Sequence, residues 1–89
     1  MITQFEGKIA VLTGAGSGFG LECARIAAAR GMRLVLLDVQ QDALDRAEAE
    51  LSSSSVQCMA RRLDVSDAAQ MQQVAEDVRL RFGAPNFVF

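Results

Sequence analysis

The sequence predicts an α/β fold, a doubly wound parallel sheet with helices on both faces. Two observations carry this. Apolar runs of strand length alternate with segments of helical periodicity, and a glycine-rich turn joins the first run directly to the first helical segment. With 89 residues, 51% of them hydrophobic, residues 1–89 are read as one small domain or as the N-terminal part of a single larger one with an incomplete sheet.

Lys8 to Thr13 is an aliphatic run without polar alternation, the pattern of a strand buried on both faces. Gly18 to Arg30 follows as a helix, with Leu21, Ala24, Ala27 and Ala28 at helical spacing and Gly31 as its stop. Arg33 to Asp38 is a second buried strand that ends on a carboxylate, and Gln40 to Leu51 a second helix with Leu44, Ala47 and Leu51 on one face. Ser52 to Ser55 reads as a loop and Val56 to Leu63 as a third, more polar strand suited to a sheet edge. Ser66 or Asp67 caps a third helix whose Met71, Val74, Val78 and Phe82 form an apolar stripe for the core. Gly83 and Pro85 end that helix, and Asn86 to Phe89 starts a fourth strand. Right-handed crossovers then give about four strands and three helices, and the dinucleotide-binding order would be 3-2-1-4.

Composition removes several chemistries. There is no His, Trp or Tyr, so a Ser-His or Cys-His nucleophile pair and a His-ligated zinc are excluded. Net charge is −2, each half of the chain sums to −1, and no basic block offers a nucleic-acid surface. Arg61-Arg62, the one adjacent basic pair, reads as a solvated strand edge. Cys23 and Cys58 lack metal-type spacing and read as reduced packing residues of a cytoplasmic protein. No run approaches the roughly 18 apolar residues of a membrane span, so no membrane partner is expected.

The sharpest signal is Thr13-Gly14-Ala15-Gly16-Ser17-Gly18-Phe19-Gly20, placed where the first strand turns into the first helix. Glycines suit that turn because it demands backbone angles closed to other residues and because a Cβ would hold a pyrophosphate away from the amides. The helix N-terminus adds unpaired N–H groups and about half a positive charge. No lysine follows the glycines, which excludes a P-loop, and a strict GxGxxG fails at Phe19; TGxxxGxG fits, with Thr13, Gly14, Gly18 and Gly20 in place. Asp38 stands eighteen residues after Gly20, near the spacing of a carboxylate that accepts both ribose hydroxyls of an adenosine. The competing role for Asp38 is a cap for the helix near Gln40. A 2′-phosphate about 4 Å from that charge would meet repulsion of up to about 4 kcal/mol at an effective dielectric of 20. Residues 39–41 contain no arginine to offset it, so NAD is expected over NADP. Asp64-Val65 ends the third strand, where an adenine would extend; a plain strand-to-helix turn is the alternative there.

Together, TGAGSGFG, the Asp38 strand ending and Asp64-Val65 closely resemble the N-terminal part of the classical short-chain dehydrogenase/reductase family, a Rossmann-type fold. The opening FEGKIAVLTGAGSGFG and the ending RFGAPNFVF are similar to that family as well, so the resemblance covers essentially the whole chain. It implies an NAD(P)-dependent oxidoreductase acting on an alcohol or carbonyl substrate, homo-oligomeric as a complete protein. Gly14, Ser17, Phe19 and Gly20 would surround the pyrophosphate and nearby ribose, with Gly16 and Gly18 cofactor-binding in the same turn; Asp38 would bind the adenosine ribose, and Asp64 with Val65 the adenine. Phe19 departs from the aliphatic residue usual at its position. The family's catalytic Ser and Tyr-x-x-x-Lys have no counterpart here, so the chain is expected to be the cofactor-holding part of a longer enzyme and inactive alone. A non-catalytic NAD- or adenosine-binding mini-domain and an S-adenosylmethionine-binding protein are the alternative readings.

Overall fold

The computed structural model describes residues 5–52 and 56–88. Seven elements follow in strict alternation: β1 (Ile9–Thr13), α1 (Gly18–Ala29), β2 (Arg33–Asp38), α2 (Gln41–Ser52), β3 (Cys58–Arg62), α3 (Ala68–Arg81) and β4 (Phe87–Val88). The strands form one sheet in the order β3-β2-β1-β4, and every pairing is parallel. The expected α/β class and the strand order 3-2-1-4 are therefore observed.

Strand alternation sorts the apolar residues onto two faces. Ala10, Leu12, Leu34 and Leu36 meet Ala24, Ala27 and Ala28 of α1 and Leu44, Ala47 and Leu51 of α2. Alanines on α1 let the helix approach the sheet closely, which is why its inward stripe carries few large side chains. On the opposite face Ile9, Val11, Val35 and Leu37 meet Met59, Leu63 and Val78. Because β1 and β2 are covered on both sides, their runs are continuous rather than alternating. Burying each such Leu or Val contributes about 1.5–3 kcal/mol relative to exposure.

Several boundaries differ from expectation, each for a local reason. Arg30 closes α1 with its amide on the Ala27 carbonyl, and Gly31 takes the left-handed conformation at φ 78° that ends the helix. Ser52, read as loop, is the last residue of α2, while positions 53–55 of that serine stretch lie outside the described residues. The third strand starts at Cys58, two residues later than expected, with the Gln57 carbonyl accepting from the Leu34 amide at 2.8 Å. Of the two proposed caps for α3, Asp67 is the one used: its carboxylate accepts from the Gln70 amide at 3.1 Å.

The α3 stripe is less buried than its periodicity implies. Val78 is buried, Val74 and Phe82 are partly buried, and Met71 is 40% exposed. Met71 and Val74 instead line an apolar groove of about 400 Å³ with Val11, Leu37, Leu63 and Val88. Arg61 is also not simply solvated: its guanidinium bonds the Asp77 carboxylate at 2.7 Å and ties β3 to α3, whereas Arg62 is exposed. At the other edge, β4 is entered through Asn86, whose side-chain oxygen accepts from the Ile9 amide at 3.0 Å while its own amide donates to the Ile9 carbonyl at 3.0 Å. Phe89, expected in that strand, lies outside the described residues.

Candidate functional site

The order in which strands are added reverses at β1, since β2 and β3 step away on one side and β4 pairs on the other, all of them parallel. Open α/β sheets bind ligands at the carboxyl ends of their strands beside such a reversal. The glycine turn sits there. Its Ala15 amide donates to the Leu37 carbonyl at 3.0 Å, fastening the turn across the end of β2.

The turn's glycines serve different needs. Gly14 and Gly18 have φ of 62° and 59°, and a Cβ built on either would meet nothing within 4 Å, so backbone conformation calls for glycine and the space beside it stays open. Gly16 and Gly20 lack positive φ but have no room. A Cβ on Gly20 would run into the Gly14 carbonyl, and one on Gly16 would stand 2.7 Å from the Ala43 Cβ and 2.8 Å from the Asp38 carboxylate. Beside the two reasons legible in the sequence, backbone angles and the approach of a pyrophosphate, a third applies at Gly16 and Gly20, where the protein's own atoms fill the Cβ space.

The start of α1 is suited to an anion. Ser17 is its N-cap, but the Ser17 side chain makes no capping bond, and the first turn contains no acidic residue. Its leading N–H groups therefore keep their partial positive charge for an incoming group. By contrast, α2 has Asp42 in its first turn and α3 has the Asp67 cap. Phe19, in that first turn of α1, is 83% exposed.

Asp38 is half-buried at the end of β2 and accepts two backbone bonds, Gly16 N–H to Oδ2 at 2.8 Å and Gln40 N–H to Oδ1 at 2.9 Å. The bond to Gln40 closes a turn leading into α2 and is not the helix cap that the sequence offers as the competing role, since Gln40 itself stands at the cap position and its carbonyl accepts from the Leu44 amide at 3.0 Å. Each oxygen accepts one bond here and retains capacity for another, so two vicinal hydroxyls fit this carboxylate.

Asp64 is exposed beyond the end of β3. Its Oδ1 accepts from the Ser66 hydroxyl at 2.7 Å and the Ser66 amide at 3.0 Å, which hold the Asp64 carboxyl below the usual carboxylate range. Its own amide donates to Gln70 Oε1 at 3.2 Å. Val65 beside it is 60% exposed.

Gly14, Asp38, Asp64 and Val65 come together on one open cleft of about 460 Å³, with Thr13, Leu37, Val39 and Leu63 completing its walls. Ser17, Gly18, Phe19 and Gly20 lie outside that lining, at the start of α1, and Gly16 joins the cleft through its bond to Asp38. The apolar walls Leu37, Val39 and Leu63 were not among the expected site residues; the available signal was their position immediately before or after Asp38, which ends β2, and Asp64, which lies two residues past the end of β3 and not at it as the sequence suggests. Apolar walls between two carboxylates, a helix N-terminus without its own counter-charge and open space at Gly14 and Gly18 together fit an adenosine joined to a pyrophosphate.

Comparison with known proteins agrees with this arrangement. The family model for short chain dehydrogenase matches residues 8–87. Galactitol 2-dehydrogenase (L-tagatose-forming) of Cereibacter sphaeroides is 44% identical over 78 residues, covering 85% of this chain and 29% of the relative. A short chain dehydrogenase/reductase from Burkholderia phymatum, solved in complex with NAD, superposes with a TM-score of 0.92 at 44% identity over 96% of this chain and 30% of that one. L-sorbose reductase from Gluconobacter frateurii, solved with NADPH and L-sorbose, gives a TM-score of 0.87 at 34% identity over 93% of this chain and 32% of that one. The chain thus spans about a third or less of the length of these relatives. With the match running from the start of β1 into β4, and the strand order and glycine turn in place, the chain belongs to the short-chain dehydrogenase family.

Proposed function

We propose that this chain holds the ADP-ribose end of a nicotinamide dinucleotide, with NAD preferred over NADP, for a cytoplasmic oxidoreductase that moves hydride to or from an alcohol or carbonyl substrate. The α1 N-terminus and the glycine turn take the pyrophosphate. Asp38 accepts the 2′- and 3′-hydroxyls of the adenosine ribose. Asp64 accepts from the adenine amine on Oδ2, the oxygen that Ser66 leaves free, and the Val65 amide donates to the ring.

The observation that carries this reading is the Asp38 carboxylate, fixed on both oxygens by backbone amides at the rim of the cleft. The turn into α2 uses only the Gln40 bond; the Gly16 bond holds the carboxylate in a set orientation. Solved relatives are described with NAD and with NADPH, so the choice of NAD rests on the charge of Asp38 and the absence of arginine from Val39 to Gln41. Equilibrium titration with NAD, ADP-ribose and S-adenosylmethionine tests the reading. Saturable binding of the first two and none of the third is expected. Equal or tighter binding of S-adenosylmethionine would refute it.

A further inference from the structure

We infer that Gly16 is a positioning residue for cofactor selection, acting through Asp38 rather than on the cofactor: its missing side chain is the space in which the ribose-reading carboxylate is held. The inference rests on the proposed role of Asp38.

Position 16 falls on an unspecified place of the TGxxxGxG pattern, and its φ is not positive, so neither the motif nor the backbone angle requires glycine. Space does. A Cβ there would lie 2.7 Å from the Ala43 Cβ, 2.8 Å from Asp38 Oδ2 and 3.1 Å from the Ala43 carbonyl carbon. Ala43 is buried in α2 and has no rotamer to change, whereas the Asp38 carboxylate is the end of a side chain that can swing. A side chain at 16 therefore meets both obstacles, of which the carboxylate alone can turn aside, while the Ala43 contact is relieved only by backbone movement or by removing that Cβ. What is displaced is specific: Oδ2 leaves the Gly16 amide at 2.8 Å, and the carboxylate loses one of the two donors that orient it. The pyrophosphate end of the site does not depend on that bond, because Gly14, Gly18 and the α1 N-terminus keep their geometry.

The test compares NAD with 2′-deoxy-NAD (deoxy in the adenosine ribose) on the wild type, Ala43→Gly and the double variant Gly16→Ala/Ala43→Gly. Removing the Ala43 Cβ takes away the nearest clash, so the double variant can fold with the carboxylate turned aside. Ala43→Gly alone leaves Asp38 and both amides in place. Wild type and Ala43→Gly are expected to prefer NAD over the deoxy analogue to the same degree, and the double variant to lose about tenfold of that preference, as for one hydrogen bond to a charged group. A merely structural role for Gly16 would weaken both ligands equally. An unchanged ratio in a folded double variant overturns the inference alone. A wild type with no preference overturns the ribose role of Asp38 and the inference with it.

Asp38→Ala supplies a second measurement that needs no extra room at position 16. In that variant the Gly16 amide is expected to exchange with solvent at least about tenfold faster, with the Ala15 amide on β2 unchanged. Unaltered Gly16 exchange overturns the inference.

Discussion

The carbonyl oxygen of Gly14 occupies the space in which a Cβ on Gly20 would stand, with the Thr13 carbonyl oxygen 2.9 Å from the same point. Both obstacles are backbone and cannot rotate away. Gly20→Ala is therefore expected to lower the unfolding free energy by about 1–3 kcal/mol and to weaken NAD binding, since the turn must open to admit the methyl group. Gly14→Ala meets no atom within 4 Å and costs only the left-handed backbone, about 1–2 kcal/mol. Urea unfolding of the two variants, with NAD titration of each, measures the difference.

Ser66 sets the titration of Asp64. Its hydroxyl, and then its amide, stabilise the carboxylate, so the folded pKa lies below the unfolded one. This contribution to stability is present above the unfolded carboxylate pKa, about 3.9, and is lost as pH falls through the lowered folded value. Ser66→Ala removes the larger of the two contributions while leaving the amide. The Asp64 carboxyl is expected to titrate at higher pH in that variant, as followed by carbon NMR of the side chain.

Most of the scaffold was legible because it rests on local pattern. The runs from Lys8 and Arg33 had the length and apolarity of doubly covered strands, and TGxxxGxG placed the turn between strand and helix. What escaped the sequence depended on partners distant along the chain. Nothing near Gly16 or Asp38 announces a bond across twenty-two residues, and nothing near Arg61 announces Asp77. The α3 stripe misled in the other direction: periodicity reported an apolar face on Met71 and Val74, but burial depends on what lies opposite, and those residues line an open groove. At the α3 cap, Ser66 and Asp67 are both good formers of that motif, and Ser66 is already engaged with Asp64.

Leu36 and Leu80 separate core from surface. Leu36 is fully buried in the second strand of the sheet, between two paired neighbours, whereas Leu80 on α3 is 73% exposed. Leu36→Ala is expected to cost about 2–5 kcal/mol. Leu80→Ala should stay within about 0.5 kcal/mol of wild type. Denaturant midpoints with unchanged slopes would establish both.

Burial pushes the Cys58 thiol up to about 11, with the nearby Glu48 charge adding to the effect. Reaction requires the thiolate, so at pH 8 Cys58 is expected to alkylate about a hundredfold more slowly than an unperturbed thiol. Mass spectrometry of iodoacetamide-treated protein, with and without denaturant, reads the rate at this site. The slow phase should vanish on unfolding.

The proposed ribose role of Asp38 is probed by Asp38→Ser. The substitution removes the charge that repels a 2′-phosphate and the acceptor pair that two amides hold in place. In equilibrium titrations of the whole protein, NAD affinity is expected to fall at least about tenfold and the preference for NAD over NADP to shrink or reverse. If NAD affinity and the NAD/NADP ratio both remain at wild-type values in the folded variant, Asp38 does not read the ribose, and the account is contradicted.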